Sequence, residues 1–259
     1  MEYAAEIKVN MPLTLEMHLD NLSKRNIASK ELNSMYYLLK KRLENILNYS
    51  RAVFVEYSLH DASHSKAIIQ SIERFLGENR IRKLSATDTF MLLICAYAHD
   101  LGMSKTFDKI YEILGSKQFY DYLENTRISL NGLDLDDFRA IENLLHHIHD
   151  EKPNVELNSM YLSIMHVIQM YLRPTHPEGV FSIKTEFDGL FREHLKKRFI
   201  NGSEGIVEIC MCHGEEFESL FELSAHADGI IGDDFHPRFI AAMIRLGDLL
   251  DLDNNRFPE

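Results

Sequence analysis

The 259-residue chain contains no tryptophan and few helix-breaking residues, with only 6 prolines and 12 glycines. This scarcity leaves room for long uninterrupted helices. The composition of 45% hydrophobic and 26% charged residues excludes a disordered chain and is typical of a globular protein. A chain of this length can bury the core of one large domain or of two small ones. We therefore predict a helical globular protein.

Basic residues are also scarce: 28 Lys and Arg stand against 40 Asp and Glu, which gives a formal net charge of -12 at pH 7. Non-specific binding of nucleic acids depends on clustered Lys and Arg, so this charge argues against a nucleic-acid partner. An anionic substrate would need local cations or a metal ion to offset the negative field.

Cysteine is the third scarce residue. Cys95, Cys210 and Cys212 form no Cys-x-x-Cys motif and are odd in number, which fits a reducing compartment and a packing role. The first ten residues, MEYAAEIKVN, have neither the basic start nor the apolar run of a signal peptide. We therefore expect a cytoplasmic protein.

The most unusual stretch is FMLLICAYAHDLG, in which an uncharged apolar run is followed directly by His99 and Asp100. A run that is apolar on every face predicts a fully buried helix, and Ser85 is a suitable N-cap. At about 13 residues the stretch is shorter than the roughly 20 that a membrane span needs. Burying an imidazole and a carboxylate is costly without partners. A metal ion would satisfy both groups, and a structural hydrogen bond is the alternative.

Two histidines share the inward face of the helix that precedes this stretch. The helix is predicted to begin near residues 58–63 and to end at Gly77. His60 and His64 have the i, i+4 separation by which two imidazoles can share a metal. Capping of the helix, or a satisfied position in the core, is the alternative for each of them.

Further inward-facing groups occur in the second half of the chain. His176 is predicted in a rigid loop after a core helix that Pro174 ends, and His213 is predicted to point inward. Asp248 lies on a largely apolar helix face, where an acid is generally paired or metal-bound. We expect Asp251 to be more exposed.

A different set of polar residues lies on one face of a helix predicted over residues 135–149. Glu142, His146 and Asp150 are either a second ligand set or a solvated face. His147 and His149 add competing histidines in the same stretch.

Three sequence blocks resemble the HD-domain metal-dependent phosphohydrolases. They are His64-Ser65 before an amphipathic helix, AYAHDLGM at the end of a buried helix, and RLGDLLDLD late in the chain. The resemblance implies an all-α, HD-domain-like helical bundle over residues 51–259, after an N-terminal helical extension over residues 1–50. These parts form either one continuous domain or a piece of a longer protein. The segments LRPTHPE and CHG further resemble a bacterial HD subgroup joined to Hsp90-type ATPase modules.

The resemblance assigns a ligand role to six residues. It implies His64, His99, Asp100 and Asp248 for a first metal, and His176 and His213 for a second metal to which Asp100 bridges. Mixed imidazole and carboxylate ligands suit Mn, Fe, Ni, Co or Zn better than Mg, so one or two divalent transition metal ions are expected. Such ions lower the pKa of water from about 15.7 toward 7, which provides a nucleophile at neutral pH.

Several charged residues near these ligands complete the predicted site. We expect three cations to contact the phosphate oxygens of a substrate: Lys66, Arg173 and Arg245. Lys105 is assigned to catalysis together with Asp100 and Asp61. Asp61 is expected to orient a ligand imidazole or to transfer a proton.

The sequence therefore predicts a metal-dependent phosphohydrolase that acts on a phosphomonoester or phosphodiester, with a nucleotide as the favoured substrate. One rival is a non-catalytic regulatory module that holds metal or nucleotide and signals to an attached domain. Another is an oxygenase with paired iron. The expected partner is a small-molecule phosphoester, without membrane or nucleic acid; further domains or a homo-oligomer stay open.

Overall fold

The fold is organised around α4, which runs Ala86–Ala98 and is buried along its whole length. The Ser85 side chain caps it by accepting a hydrogen bond from the backbone N–H of Asp88 at 2.8 Å. The computed structural model describes residues 12–53, 62–129, 142, 157–182, 184, 187–189, 202–229 and 233–251. The structure confirms the buried helix that the uncharged run predicts, and it confirms Ser85 as the N-cap.

Helices make up most of the described chain. The other α-helices are α1 (Leu15–Ser23), α2 (Ile27–Val53), α3 (Ala62–Ile81), α5 (Phe107–Leu114), α6 (Lys117–Ser129), α7 (Leu157–Leu172), α8 (Gly202–Cys212) and α9 (Pro237–Leu250). Short 3₁₀ helices span Leu101–Met103, Arg173–Val180 and Phe217–Phe221. Two-residue strands β1 (Ala227–Asp228) and β2 (Asp234–Phe235) pair antiparallel, with Ala227 opposite Phe235. The predicted all-α class is confirmed.

One apolar core surrounds α4. Helices α1, α2, α3, α8 and α9 all pack against it, and the three cysteines are buried. A second apolar cluster joins α5, α6 and α7 beneath Met103. Because α1 and α2 contribute to the main core, the described part of the extension predicted over residues 1–50 packs directly on α4. A domain boundary near residue 51 stays a prediction. None of the helices in the described part of the chain is both long and apolar enough to cross a membrane.

Several element boundaries differ from the sequence prediction. Helix α3 begins at Ala62, within the predicted range, but it continues past Gly77, where it was predicted to end; a φ of +66° at Gly77 breaks it locally. His176 lies in a 3₁₀ helix and not in the predicted loop. Most of the helix predicted over 135–149 falls outside the described residues, as do the predictions for His60, Asp61, His146, His147, His149 and Asp150.

Two backbone contacts bring distant segments together at the C-terminal end of α4. A Cβ on Gly102 would lie 1.9 Å from the carbonyl oxygen of His176, so the 3₁₀ helices 101–103 and 173–180 meet at a distance only glycine permits. A Cβ on Gly247 would lie 2.8 Å from Cγ2 of Ile68, so α9 lies directly on α3. Both contacts place side chains of remote sequence beside Asp100.

Candidate metal centre

The carboxylate of Asp100 lies among four imidazoles just after α4. Its Oδ2 is 3.3 Å from Nε2 of His64 and 3.2 Å from Nε2 of His99. Its Oδ1 is 3.1 Å from Nε2 of His176 and 3.5 Å from Nε2 of His213. Each carboxylate oxygen therefore faces a different pair of histidines.

A different element supplies nearly every one of these groups. His64 lies in the first turn of α3, His99 is the C-cap of α4, and His213 follows α8 directly. Asp248 comes from the last turn of α9, and its Oδ1 is 3.3 Å from Nε2 of His64. With His176 from the 3₁₀ helix 173–180, the structure brings all six predicted ligands together.

Main-chain carbonyls fix the orientation of three of the rings. In each case Nδ1 donates a hydrogen bond to the residue three positions earlier: His99 to Ala96 at 3.1 Å, His176 to Arg173 at 2.5 Å, and His213 to Cys210 at 2.5 Å. A carbonyl oxygen can only accept, so the proton of each neutral ring is on Nδ1. The Nε2 lone pairs are thereby directed toward Asp100.

Asp251 is the site residue that sequence reasoning missed. It was expected to be exposed, which is wrong: it is 7% exposed, and its Oδ2 lies 2.5 Å from Nδ1 of His64. Helix α9 ends at Leu250, so the C-cap residue Asp251 turns back toward the site. The signal available in the sequence was its position three residues after Asp248, on the same side of a helix.

The carboxylates perturb the acidity of the imidazoles. Burial lowers the pKa of His64, but contacts with Asp100, Asp248 and Asp251 outweigh it and raise that pKa to about 11. Burial raises the pKa of Asp248, but His64 and His99 lower it to about 2. Burial lowers the pKa of His176, but contact with Asp100 outweighs burial and raises that pKa above its usual value. Burial also lowers the pKa of His213, and contact with Asp100 does not restore it to its usual value.

A cation fits this set of donor atoms. Among the described residues His99 Nε2 forms no hydrogen bond, although Asp100 Oδ2 is close to it. Nε2 of His176 and Nε2 of His213 lie 2.8 Å apart while both rings donate from Nδ1. Two lone pairs at that distance repel each other unless a proton or a metal ion lies between them.

The possible ligand groups overlap. Donor atoms of His64, His99 and Asp248 all lie within 4.8 Å of one another, and so do those of His99, Asp100 and His213. His99 belongs to both groups, and the ring centroids of His99 and His213 are 4.9 Å apart. The predicted division into a first and a second metal set is therefore less sharp in the structure than in the sequence. The nitrogen-rich donors suit divalent transition metals.

Metal loading should release protons, and the affinity for metal should rise with pH. At neutral pH a metal must displace the proton that the carboxylates hold on His64, whose pKa of about 11 exceeds its usual value. Each displaced proton changes the apparent dissociation constant about tenfold per pH unit. Competition with a chromophoric chelator for Zn²⁺ between pH 6.5 and 8.5 measures this slope. An affinity that does not change with pH would contradict the assignment.

The predicted phosphate-binding cations occupy varied environments. Lys66 is exposed and lies 3.2 Å from Glu44. Nη1 of Arg245 donates to the carbonyls of Cys212 and Glu215, both at 2.8 Å, which fastens the loop that carries His213. The Arg173 residue is exposed and its carbonyl accepts from His176. Their phosphate contacts stay predictions.

Lys105 lies half-buried beyond the 3₁₀ helix 101–103. Burial and the neighbouring Lys109 lower the pKa of its ammonium group. Asp61 lies outside the described residues. Glu142 is described, but the other members of its predicted ligand set are not.

Comparison with known proteins gives one informative match. No curated protein and no solved structure matches the chain. The family model HD-CE matches residues 54–259, a span that includes every predicted ligand. Because that match covers well over half of the sequence, the chain belongs to the HD-CE family of HD-type domains.

Proposed function

We propose that the protein is a metal-dependent phosphohydrolase that cleaves a phosphomonoester or a phosphodiester, with nucleotides as the substrate class. Membership in an HD-type family supports the reaction class. The proposal also includes a cytoplasmic location, which the free thiols of its cysteines suit.

The observation that carries the proposal is the position of Asp100 between two pairs of imidazoles. Each of its oxygens faces two Nε2 atoms at 3.1–3.5 Å. A carboxylate in this position can bridge two cations, and paired cations are suited to displacement at phosphorus. A structural His-Asp pair would require only one imidazole.

The candidate ligands form two sets, one for each ion. His64, His99, Asp100 and Asp248 would hold one ion, and His176 and His213 a second, with Asp100 shared. When bound, such ions lower the pKa of water and neutralise charge on phosphate oxygens. The carbonyls that accept from Nδ1 keep three of the rings fixed, so that little reorganisation accompanies the reaction.

Cations beside the ligands would contact the substrate. Lys105 follows Asp100 closely in the sequence. We propose that its ammonium group contacts a phosphate oxygen or the leaving group. Its lowered pKa also suits proton transfer. Asp61 is proposed to orient a ligand imidazole or to transfer a proton, and we propose that three cations add phosphate contacts: Lys66, Arg173 and Arg245.

Turnover of phosphoesters by the metal-loaded protein tests the proposal. Mn²⁺, Fe²⁺, Co²⁺, Ni²⁺ and Zn²⁺ would each be tested with p-nitrophenyl phosphate, bis-p-nitrophenyl phosphate and a panel of nucleoside mono-, di- and triphosphates and cyclic nucleotides. With at least one metal we expect release of p-nitrophenol from a generic ester, or conversion of a nucleotide to phosphate and the dephosphorylated product, or of a cyclic nucleotide to the nucleoside monophosphate. Asp100→Asn should reduce that rate to background because the isosteric amide cannot bridge two cations.

A regulatory module would give a different result. Metal retained and nucleotide bound, without turnover of any substrate in the panel, would contradict the hydrolase proposal and favour a sensor that signals to an attached domain. Oxygen consumption by the iron-loaded form would instead favour the oxygenase alternative.

A further inference from the structure

The two nitrogens of His64 are both held by carboxylates from the end of α9. Asp248 faces Nε2 at 3.3 Å, and Asp251 faces Nδ1 at 2.5 Å. The side chain of His64 is only 2% exposed and that of Asp251 is 7% exposed, so water does not compete for the contact. The close approach of α9 to α3 at Gly247 is what brings the two acids to this ring.

His64 differs in this respect from the other three histidines. Their Nδ1 atoms donate to neutral carbonyls three residues earlier, within the same local segment. The partner of His64 is an anion 187 positions away in sequence. A carboxylate on Nδ1 makes the imidazole more basic at Nε2 and therefore a stronger ligand, and it also fixes the plane of the ring.

We infer that Asp251 is a positioning residue for the metal site, which fixes the tautomer and orientation of His64 from the end of α9. Its Oδ2 lies at Nδ1, the ring nitrogen opposite the one that faces Asp100, so we assign Asp251 to the orientation of His64 and not to ligation. The inference rests on the metal site of the proposed function. It assigns to the last turn of α9 two separate tasks, ligation by Asp248 and orientation by Asp251.

Asp251→Asn tests this role because the amide keeps the size of the side chain and removes the charge. The expected result is a loss of about 10- to 100-fold in affinity for Co²⁺, measured by chelator competition. We also expect a changed visible absorption spectrum of the Co²⁺-loaded protein, since His64 would no longer be held in one orientation. Asp251→Ala should lose at least as much affinity, because the carboxylate that faces Nδ1 is removed.

Asp88→Asn is the matched control. Asp88 is also a buried acid, and its carboxylate accepts from the backbone N–H of His236 at 2.8 Å and lies 2.7 Å from Nδ1 of the same residue. It lies in the first turn of α4, at the end opposite Asp100. Both substitutions weaken a contact between a buried Asp and a His, although the His236 side chain is 38% exposed. Both should lower the unfolding temperature of the metal-free protein, but only Asp251→Asn should change Co²⁺ affinity and spectrum.

The outcomes separate this inference from the proposed function. Parent protein that binds Co²⁺, with Asp251→Asn no weaker than Asp88→Asn and spectrally unchanged, would overturn the role of Asp251 and leave the hydrolase proposal standing. Parent protein that binds no Co²⁺ would overturn both. A metal affinity lowered in Asp251→Asn alone, with or without phosphoester turnover, would support the inference.

Discussion

Asp100→Ala should abolish metal retention while the protein stays folded. The carboxylate lies within 3.5 Å of four imidazole nitrogens, and no other acid has that position among the residues that the structure describes. Without it, the remaining candidate ligands are four imidazoles and Asp248. No anion would then lie between the pair His64 and His99 and the pair His176 and His213. The packing of α4 depends on its apolar residues, which the substitution does not change.

The measurement for this variant is the affinity for Zn²⁺ and Mn²⁺ by chelator competition, together with far-UV circular dichroism. We expect binding too weak to detect and a helical spectrum like that of the parent. Asp88→Asn, which alters a buried acid at the other end of the same helix, should retain the parent affinity. Parent-like affinity in Asp100→Ala would show that Asp100 is not a ligand.

Gly102→Ala should disrupt the half of the site that contains His176. The new Cβ would lie 1.9 Å from the carbonyl oxygen of His176 and 2.6 Å from its Cα, both backbone atoms that no rotamer change can move. The 3₁₀ helix 173–180 must then separate from Asp100. We expect a loss of about 3 kcal/mol in the free energy of unfolding, from overpacking.

The expected metal content of Gly102→Ala is lower than that of the parent, because His176 moves away while His64, His99 and Asp248 stay in place. Gly115→Ala is the matched control, since a Cβ there would meet no atom closer than 3.6 Å. Urea unfolding and elemental analysis of the three proteins measure both effects. Equal stability and metal content in Gly102→Ala and Gly115→Ala would contradict the close contact.

The central helix and the inward positions of several candidate ligands could be predicted from the sequence because both are local patterns, whereas the ligand roles were implied by the family resemblance. The uncharged run before His99 has no polar face to present to water, so it predicts a buried helix. Ser85 stands directly before that helix and supplies its N-cap. His64 and Asp248 were recognisable because each polar group interrupts an apolar helical face.

The features that the sequence did not predict depend on contacts between remote segments. Nothing near Gly102 indicates that the backbone of His176 will lie against it, because the two residues are brought together by the packing of α7 and the 3₁₀ helix 173–180. The exposure of Asp251 was predicted wrongly because the end of α9 cannot be read from periodicity.

The number of transition metal ions per chain tests the account most directly. The parent protein, Asp100→Ala and Asp88→Asn would be offered Mn²⁺, Fe²⁺, Ni²⁺ and Zn²⁺, freed of unbound metal and measured by elemental analysis. We predict one or two ions per chain in the parent and in Asp88→Asn, and none in Asp100→Ala. Equal and negligible metal in all three proteins would contradict it, and His99-Asp100 would then be a structural pair.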